Sequence, residues 1–261
     1  MINTDIREHT SAPLGIMAAM PEEINALMTE LSDVQVRTRA GREFRTGLLF
    51  GRRVVLVFSR WGKVASASTA TELILDHGVS AVAFFGIAGG LGKVHRGDIV
   101  VATGLVQHDL DASPYFPPTH VPMLGVRELP VDLELSASLQ SAAAGFLTHD
   151  LVRDAPPPLL AAAEVAQPRV HRGVIASGDQ VIFTSAARER VLNAVPNALC
   201  VEMEGAAVAQ VCFEHGVAFA CVRTISDGAD ESGDEHIKPF FHGLAGVYTH
   251  GVVKRWLGRN A

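Results

Sequence analysis

Residues 14–31 read LGIMAAMPEEINALMTEL, and the change of pattern inside this stretch decides the fold. Its first seven residues, LGIMAAM, are apolar without alternation, as in a strand buried on both faces. At Met20 the run stops, Pro21 supplies a preset φ suited to a first helical position, and PEEINALMTEL spaces its apolar residues at a helical period. The same alternation recurs downstream. Strands are expected at VVLVFS (54–59), AVAFFGI (81–87), GDIVVAT (97–103), VIAS (174–177) and AFACVRTI (218–225), all apolar on both faces. Helices are expected at 64–78, 185–195 and 205–216, with glycine placed where the first and last of them stop. Strands alternating with helices imply an α/β domain whose central twisted sheet is mostly parallel and flanked by helices. One such domain over residues 13–261 accounts for the length, with residues 1–12 a polar leader expected to be flexible.

Two segments stand outside the alternation. Residues 108–128 combine prolines with aromatics and have no period, so they read as a long loop able to cover a site or wall a partner's pocket. Residues 153–170 hold PPP and an alanine run and read as a surface connection.

Composition narrows the function. The formal charge of −6 offers no general attraction to nucleic-acid phosphates, so the expected partner is a small molecule. Cys200, Cys212 and Cys221 have no CxxC spacing and are odd in number, which excludes a disulfide framework and a zinc ribbon and favours a cytoplasmic setting. No run is apolar and long enough to span a bilayer. The eleven histidines have no ligand spacing, and GxxxxGK[ST], HExxH and GxSxG are absent. Neither a metal, nor a cofactor, nor a nucleophilic serine is expected. GIAGGLG (86–92) lacks the GxGxxG spacing and leads into KVHRGDIVV rather than a helix, so its glycines read as allowing close backbone approach to a flat ligand, or as a tight turn.

In open α/β sheets ligands gather at the carboxyl ends of strands. That places interest on Met20–Glu23, Gly86–Gly90, Ser177–Ile182, Val201–Gly205 and Ser226–Asp230. In VEMEG, Glu202 and Glu204 lie two apart, so extended backbone aims both to one side. Alone they fit best a cap on the following helix; facing a cavity, one would also suit a clamp for the vicinal hydroxyls of a ribose. Ser226 and Asp227 fit loop entry or a general acid, and Glu22 and Glu23 fit an acidic first helical turn or a catalytic base.

Taken in order, GIMAAMPEEI, GKVASA, FFGIAGGL, GDIVV, HDLD, SGDQVI, VEMEGAAVAQVC and VRTISDGAD resemble the methylthioadenosine/S-adenosylhomocysteine nucleosidases, within the purine nucleoside phosphorylase and uridine phosphorylase superfamily. The resemblance runs from about Leu14 to Asp230. It implies a nucleoside phosphorylase-like fold, hydrolysis of a 5′-substituted adenosine to adenine and a thioribose, and a homodimer. It implies Glu23 as the base that activates water, Asp227 as the acid at adenine N7, Glu204 as the ribose clamp and Met203 against the sugar. Ala88, Gly89, Val181, Ile182 and Ser226 would complete the substrate pocket. The sequence departs from the family pattern at Ile87, where a serine or threonine is usual, at Trp61, where a small aliphatic residue is usual, and at Val181, where an aromatic is usual. Those departures keep other readings open: another purine nucleoside as substrate (futalosine-type or adenosine), a phosphorylase, or a purine nucleoside sensor without turnover.

Overall fold

The computed structural model describes residues 12–231 and 233–258. The expected leader, residues 1–12, lies outside the described residues except for its last position. The chain begins with β1 (Leu14–Ala18) and α1 (Pro21–Glu30), followed by β2 (Ser32–Arg39), β3 (Arg42–Leu49) and β4 (Arg52–Phe58). Next come α2 (Lys63–Leu75), β5 (Ala81–Gly90), β6 (Ile99–Gln107), the short β7 (Leu129–Pro130), α3 (Leu133–His149), α4 (Leu151–Asp154) and α5 (Pro157–Ala162). The last third holds β8 (Val170–Ser177), α6 (Ser185–Ala194), β9 (Ala198–Glu202), α7 (Gly205–His215), β10 (Ala218–Asp227), α8 (Gly233–Gly243) and α9 (Ala245–Leu257). No helix among the described residues is long and apolar enough to cross a membrane.

The strands form one sheet in the order β10-β6-β8-β9-β5-β1-β4-β3-β2, and β10 also pairs with β5, so β5, β10, β6, β8 and β9 close into a ring. The sheet is mixed, not mostly parallel. β1 with β4, β1 with β5, β5 with β10, β6 with β8 and β8 with β9 are parallel. The remaining ladders, β2 with β3, β3 with β4, β5 with β9, β6 with β7 and β6 with β10, are antiparallel. Two-sided burial hides strand direction from sequence, since an apolar run reads alike either way.

Alternation along β1 shows how the layers form: Ile16 and Ala18 face one core, Met17 and Ala19 the other. The first core is roofed by α1, α3 and α9 through Leu27, Phe146 and Val252, the second by α2 and α7 through Leu73 and Val208. Residues 153–170 are more than a surface connection. Ala155, Ala163 and Val165 are buried in the first core, because α5 folds the segment back onto it.

One detail of register creates the site. β5 pairs with β1 only as far as Phe84, and with β9 only at Gly89 and Gly90. Between these two partners the strands diverge, and the short overlap with β9 brings carboxyl ends of oppositely running strands to the same place. A crevice where a strand changes partners is where α/β sheets take ligands.

Candidate active site

Glu23 stands in the first turn of α1 but reaches backward and across. Its Oε2 accepts hydrogen bonds from the amides of Ala19 and Met20, each at 2.9 Å, and its Oε1 accepts from the Ile87 amide at 2.9 Å. That last amide belongs to the part of β5 between its two partners, so the carboxylate satisfies a donor that the ladder leaves open. Burial raises the Glu23 carboxyl above its ordinary value, against the nearby Arg223 charge and the three amides, which lower it. A buried carboxylate whose lone pairs are met by three donors is fixed in place and made more basic than a solvated one.

Gly86 is what lets it sit there. A Cβ at position 86 would lie 2.8 Å from Glu23 Oε1 and 3.1 Å from Arg223 Nη1. Gly86→Ala is therefore expected to push the carboxylate off its amides and to lower any activity that uses it by about tenfold or more. Steady-state kinetics on the folded variant checks this, and a rate within twofold of the parent would refute it.

The two acids of VEMEG part company. Glu202 accepts from the amides of Glu204 (3.0 Å) and Gly205 (2.8 Å) at the start of α7, from the Ser177 hydroxyl, and from Arg223 Nη2 at 2.6 Å. It is the helix-capping anion that the sequence allowed, ion-paired as well. Glu204 turns toward the crevice, 6% exposed, with the Gly62 amide donating to its Oε1 at 2.8 Å. Burial, then the Glu202 carboxylate beside it, push the Glu204 carboxyl up to about 8. These surroundings favour the neutral form of Glu204 at pH 7. A neutral carboxyl both donates and accepts, which still suits a diol.

The proton has a stability consequence. With Glu204 ordinarily at 4.5 and at about 8 when folded, the folded protein holds a proton that the unfolded chain releases. Its contribution is full below the unfolded value and is lost as pH rises through the folded one, by on the order of 1.4 kcal/mol per pH unit in between. Melting temperatures are thus expected to fall from about pH 5 to about pH 8 and to fall less steeply in Glu204→Gln; identical slopes would place the proton elsewhere.

Asp227 ends β10. The Ser226 hydroxyl donates to its Oδ1 at 2.6 Å and the Ala229 amide to its Oδ2 at 2.9 Å. Burial raises its carboxyl, more than these two hydrogen bonds lower it. The Ala229 turn closes over Gly89, where a Cβ would come 2.8 Å from the Ala229 Cβ. The clearances of Gly86, Gly89 and Gly90 are thus taken up largely by protein atoms, while Gly89 also faces the crevice.

Glu23, Ala88, Gly89, Val181, Ile182, Met203, Glu204, Ser226 and Asp227 all line one cleft that opens to solvent. Ile87 lines it too, and so does Trp61, which is 60% exposed and not packed in the core. Sequence reasoning missed Phe183, which supplies the aromatic that Val181 lacks; in an extended segment the two fall on the same side, the signal that could have found it. It also missed Ile237, on α8, and Arg223. Arg223 is fully buried, ion-paired with Glu202, and set 4.2 Å over the Phe84 ring. An arginine inside an otherwise apolar strand has to be paired, and that was the available clue. No residue of 108–128 lines this chain's own cleft; the segment folds on itself through the Val121–Val126 bridge and leaves Tyr115 and Met123 exposed.

Comparison with known proteins places the chain in a family of nucleoside-cleaving enzymes. The family model described as the phosphorylase superfamily matches residues 13–254. An aminodeoxyfutalosine nucleosidase of Helicobacter pylori (strain J99) is 35% identical over 88% of this chain and 93% of its own length. A 5′-methylthioadenosine/S-adenosylhomocysteine nucleosidase of Mycobacterium tuberculosis is 34% identical over 85% and 88%. Among solved structures, the 5′-methylthioadenosine/S-adenosylhomocysteine nucleosidase of Neisseria meningitidis in complex with methylthio-immucillin-A superposes with a TM-score of 0.82 at 28% identity, covering 95% of this chain and 99% of that one.

Proposed function

The chain belongs to the phosphorylase superfamily, and from that premise we propose that it hydrolyses the N-glycosidic bond of a 5′-substituted adenosine, methylthioadenosine or S-adenosylhomocysteine, to adenine and the 5′-substituted ribose. One observation carries the choice of water over phosphate as nucleophile. Among the described residues lining the cleft there is no lysine, arginine or histidine, while Glu23, Glu202, Glu204 and Asp227 all border it. A phosphate dianion would meet carboxylates with no cation facing it.

The chemistry divides among three of those acids. Asp227 gives its proton to N7 of the purine, so that the base leaves neutral as the C1′–N9 bond breaks. Glu23 takes a proton from a water that adds to C1′, the arrangement of an inverting glycosidase, in which acid and base act on opposite faces of the sugar. Glu204 holds the ribose hydroxyls, and positive charge developing on the sugar draws its carboxyl toward the anion. Met203 packs on the sugar, and Phe183, Val181 and Ile182 enclose the base. Trp61 at the rim leaves the 5′ end open to substituents of different length, so the relatives' two substrate classes both belong in the test.

The decisive experiment is a phosphate-free assay of free adenine over methylthioadenosine, S-adenosylhomocysteine, a futalosine-type nucleoside and adenosine. Multiple turnovers on the first two are expected. Activity strictly dependent on phosphate, or tight binding without product, would overturn the proposal. The three buried free cysteines fit a reducing cytoplasm. Exposed Tyr115 and Met123, with Trp61 and Val181 at the cleft rim, support a homodimer in which the 108–128 segment walls the partner's cleft, which sedimentation tests directly.

A further inference from the structure

Three loops outside the cleft are tied into one charged knot beside Glu204. Lys63, the first residue of α2, sends its Nζ to Asp109 Oδ1 at 2.7 Å and to Gln107 Oε1 at 3.2 Å. Asp109 Oδ2 accepts from the Asp179 amide at 2.8 Å, and Asp179 Oδ1 in turn accepts from the Lys63 amide at 2.8 Å. The ring is closed: Lys63 side chain, Asp109, Asp179 backbone, Asp179 side chain, Lys63 backbone. Lys63 and Asp109 are 17% and 22% exposed, so the pair is shielded from solvent more than most surface pairs. None of these residues lines the cleft.

What the knot holds is Gly62. With φ +91° and ψ 160° it occupies a conformation open almost only to glycine, and it caps α2 without a side chain of its own. The first amides of α2 are therefore met from elsewhere, the Lys63 amide by Asp179 and the Gly62 amide by Glu204. A Cβ at 62 would stand 3.1 Å from Asp179 Oδ1, which shows how closely the cap is fitted. The direction in which Gly62 points its N–H is set by where α2 begins, and Lys63, Asp109 and Asp179 fix that beginning.

We propose that Asp109 and Asp179 are positioning residues for the ribose clamp, acting through Lys63 and the Gly62 amide to aim the Glu204 carboxyl at the sugar. The inference rests on reading Glu204 as the group that holds the ribose hydroxyls. It gives work to the HDLD and GK segments, and it makes a distinction that a merely structural knot would not: the knot serves the sugar and not the base, because Asp227 is held by the Ser226 hydroxyl and the Ala229 amide and Ile182 packs in an apolar cluster of its own.

The test separates sugar from base. In an Asp227→Asn background, which slows turnover by at least about a hundredfold, dissociation constants are measured for methylthioadenosine and for adenine alone, with and without Asp109→Asn. Asp109→Asn keeps the shape but leaves one acceptor where two are needed, and is expected to weaken the nucleoside about tenfold while adenine stays within about twofold. Asp179→Ala, which removes the acceptor of the Lys63 amide, is expected to do the same. Equal weakening of both ligands, or no change in either, overturns the inference. Adenine release by the parent chain, measured alongside, reports separately on the hydrolase reading, so failure of one is not mistaken for failure of the other.

Discussion

Asp227→Asn is expected to lower kcat for adenine release from methylthioadenosine by at least about a hundredfold, the loss typical of a removed general acid. The substitution is well suited to isolating the proton. Asn keeps the volume, its Oδ1 can accept from the Ala229 amide, and its amide group can donate to the Ser226 hydroxyl. That hydroxyl has a second acceptor to turn to, the Ala88 carbonyl at 3.4 Å. The fold and nucleoside binding should therefore survive, with melting temperature close to the parent. What is lost is transfer of a proton to N7, and the loss should shrink for ribosides whose leaving base is more acidic and needs no protonation. A uniform loss over good and poor leaving groups would assign Asp227 to binding. In the parent, burial raises the Asp227 carboxyl above its ordinary value, so the protonated form persists to higher pH and activity is lost on the alkaline side as pH rises through it.

How much of this was legible in sequence follows from what each feature depends on. The acids of the cleft could be located because strand ends are legible: an apolar run that stops at Met20, at Val201 or at Ile225 marks a carboxyl terminus, and ligands gather there. Their charge states could not, since the raised Glu204 carboxyl comes from burial beside Glu202, a relation between side chains. Strand direction was hidden by burial on both faces, hence a mixed sheet where a mostly parallel one was expected. The β2–β3 hairpin escaped because Val34, Val36 and Thr38 alternate with polar residues over only a short stretch, and no face of Ser32–Arg39 is buried to make that pattern stand out. α3, capped by Asp132 through the Leu135 amide, was missed for the opposite reason: its alanine- and serine-rich face buries small side chains and has little amphipathic contrast. Gly86 was legible as a close approach but not as whose; only the fold shows that the approaching group is the Glu23 carboxylate.

Glu23→Ala is expected to have the larger effect on the water step, lowering kcat by about 10²–10⁴ when the base that orients and deprotonates the nucleophile is gone. Gln is the poorer probe here. Glu23 accepts three backbone hydrogen bonds, and an amide would turn N–H toward N–H at one of them, at a cost of about 1–3 kcal/mol for a buried donor left unpaired. Ala instead opens space ringed by the amides of Ala19, Met20 and Ile87, a cradle sized for a small anion. Formate is therefore expected to restore part of the lost rate in Glu23→Ala and to do nothing for Asp227→Asn, because only the former leaves donors that seat a carboxylate where the base belongs. The pH profile gives a second check. Glu23 works as the anion and burial raises its carboxyl, so the parent loses kcat/KM on the acid side, as pH falls through a value above the ordinary 4.5. That limb should vanish in Glu23→Ala. If it persists, with no rescue by formate, the proton acceptor is another group, and Glu204 would be the next to remove, since its surroundings push its carboxyl up to about 8.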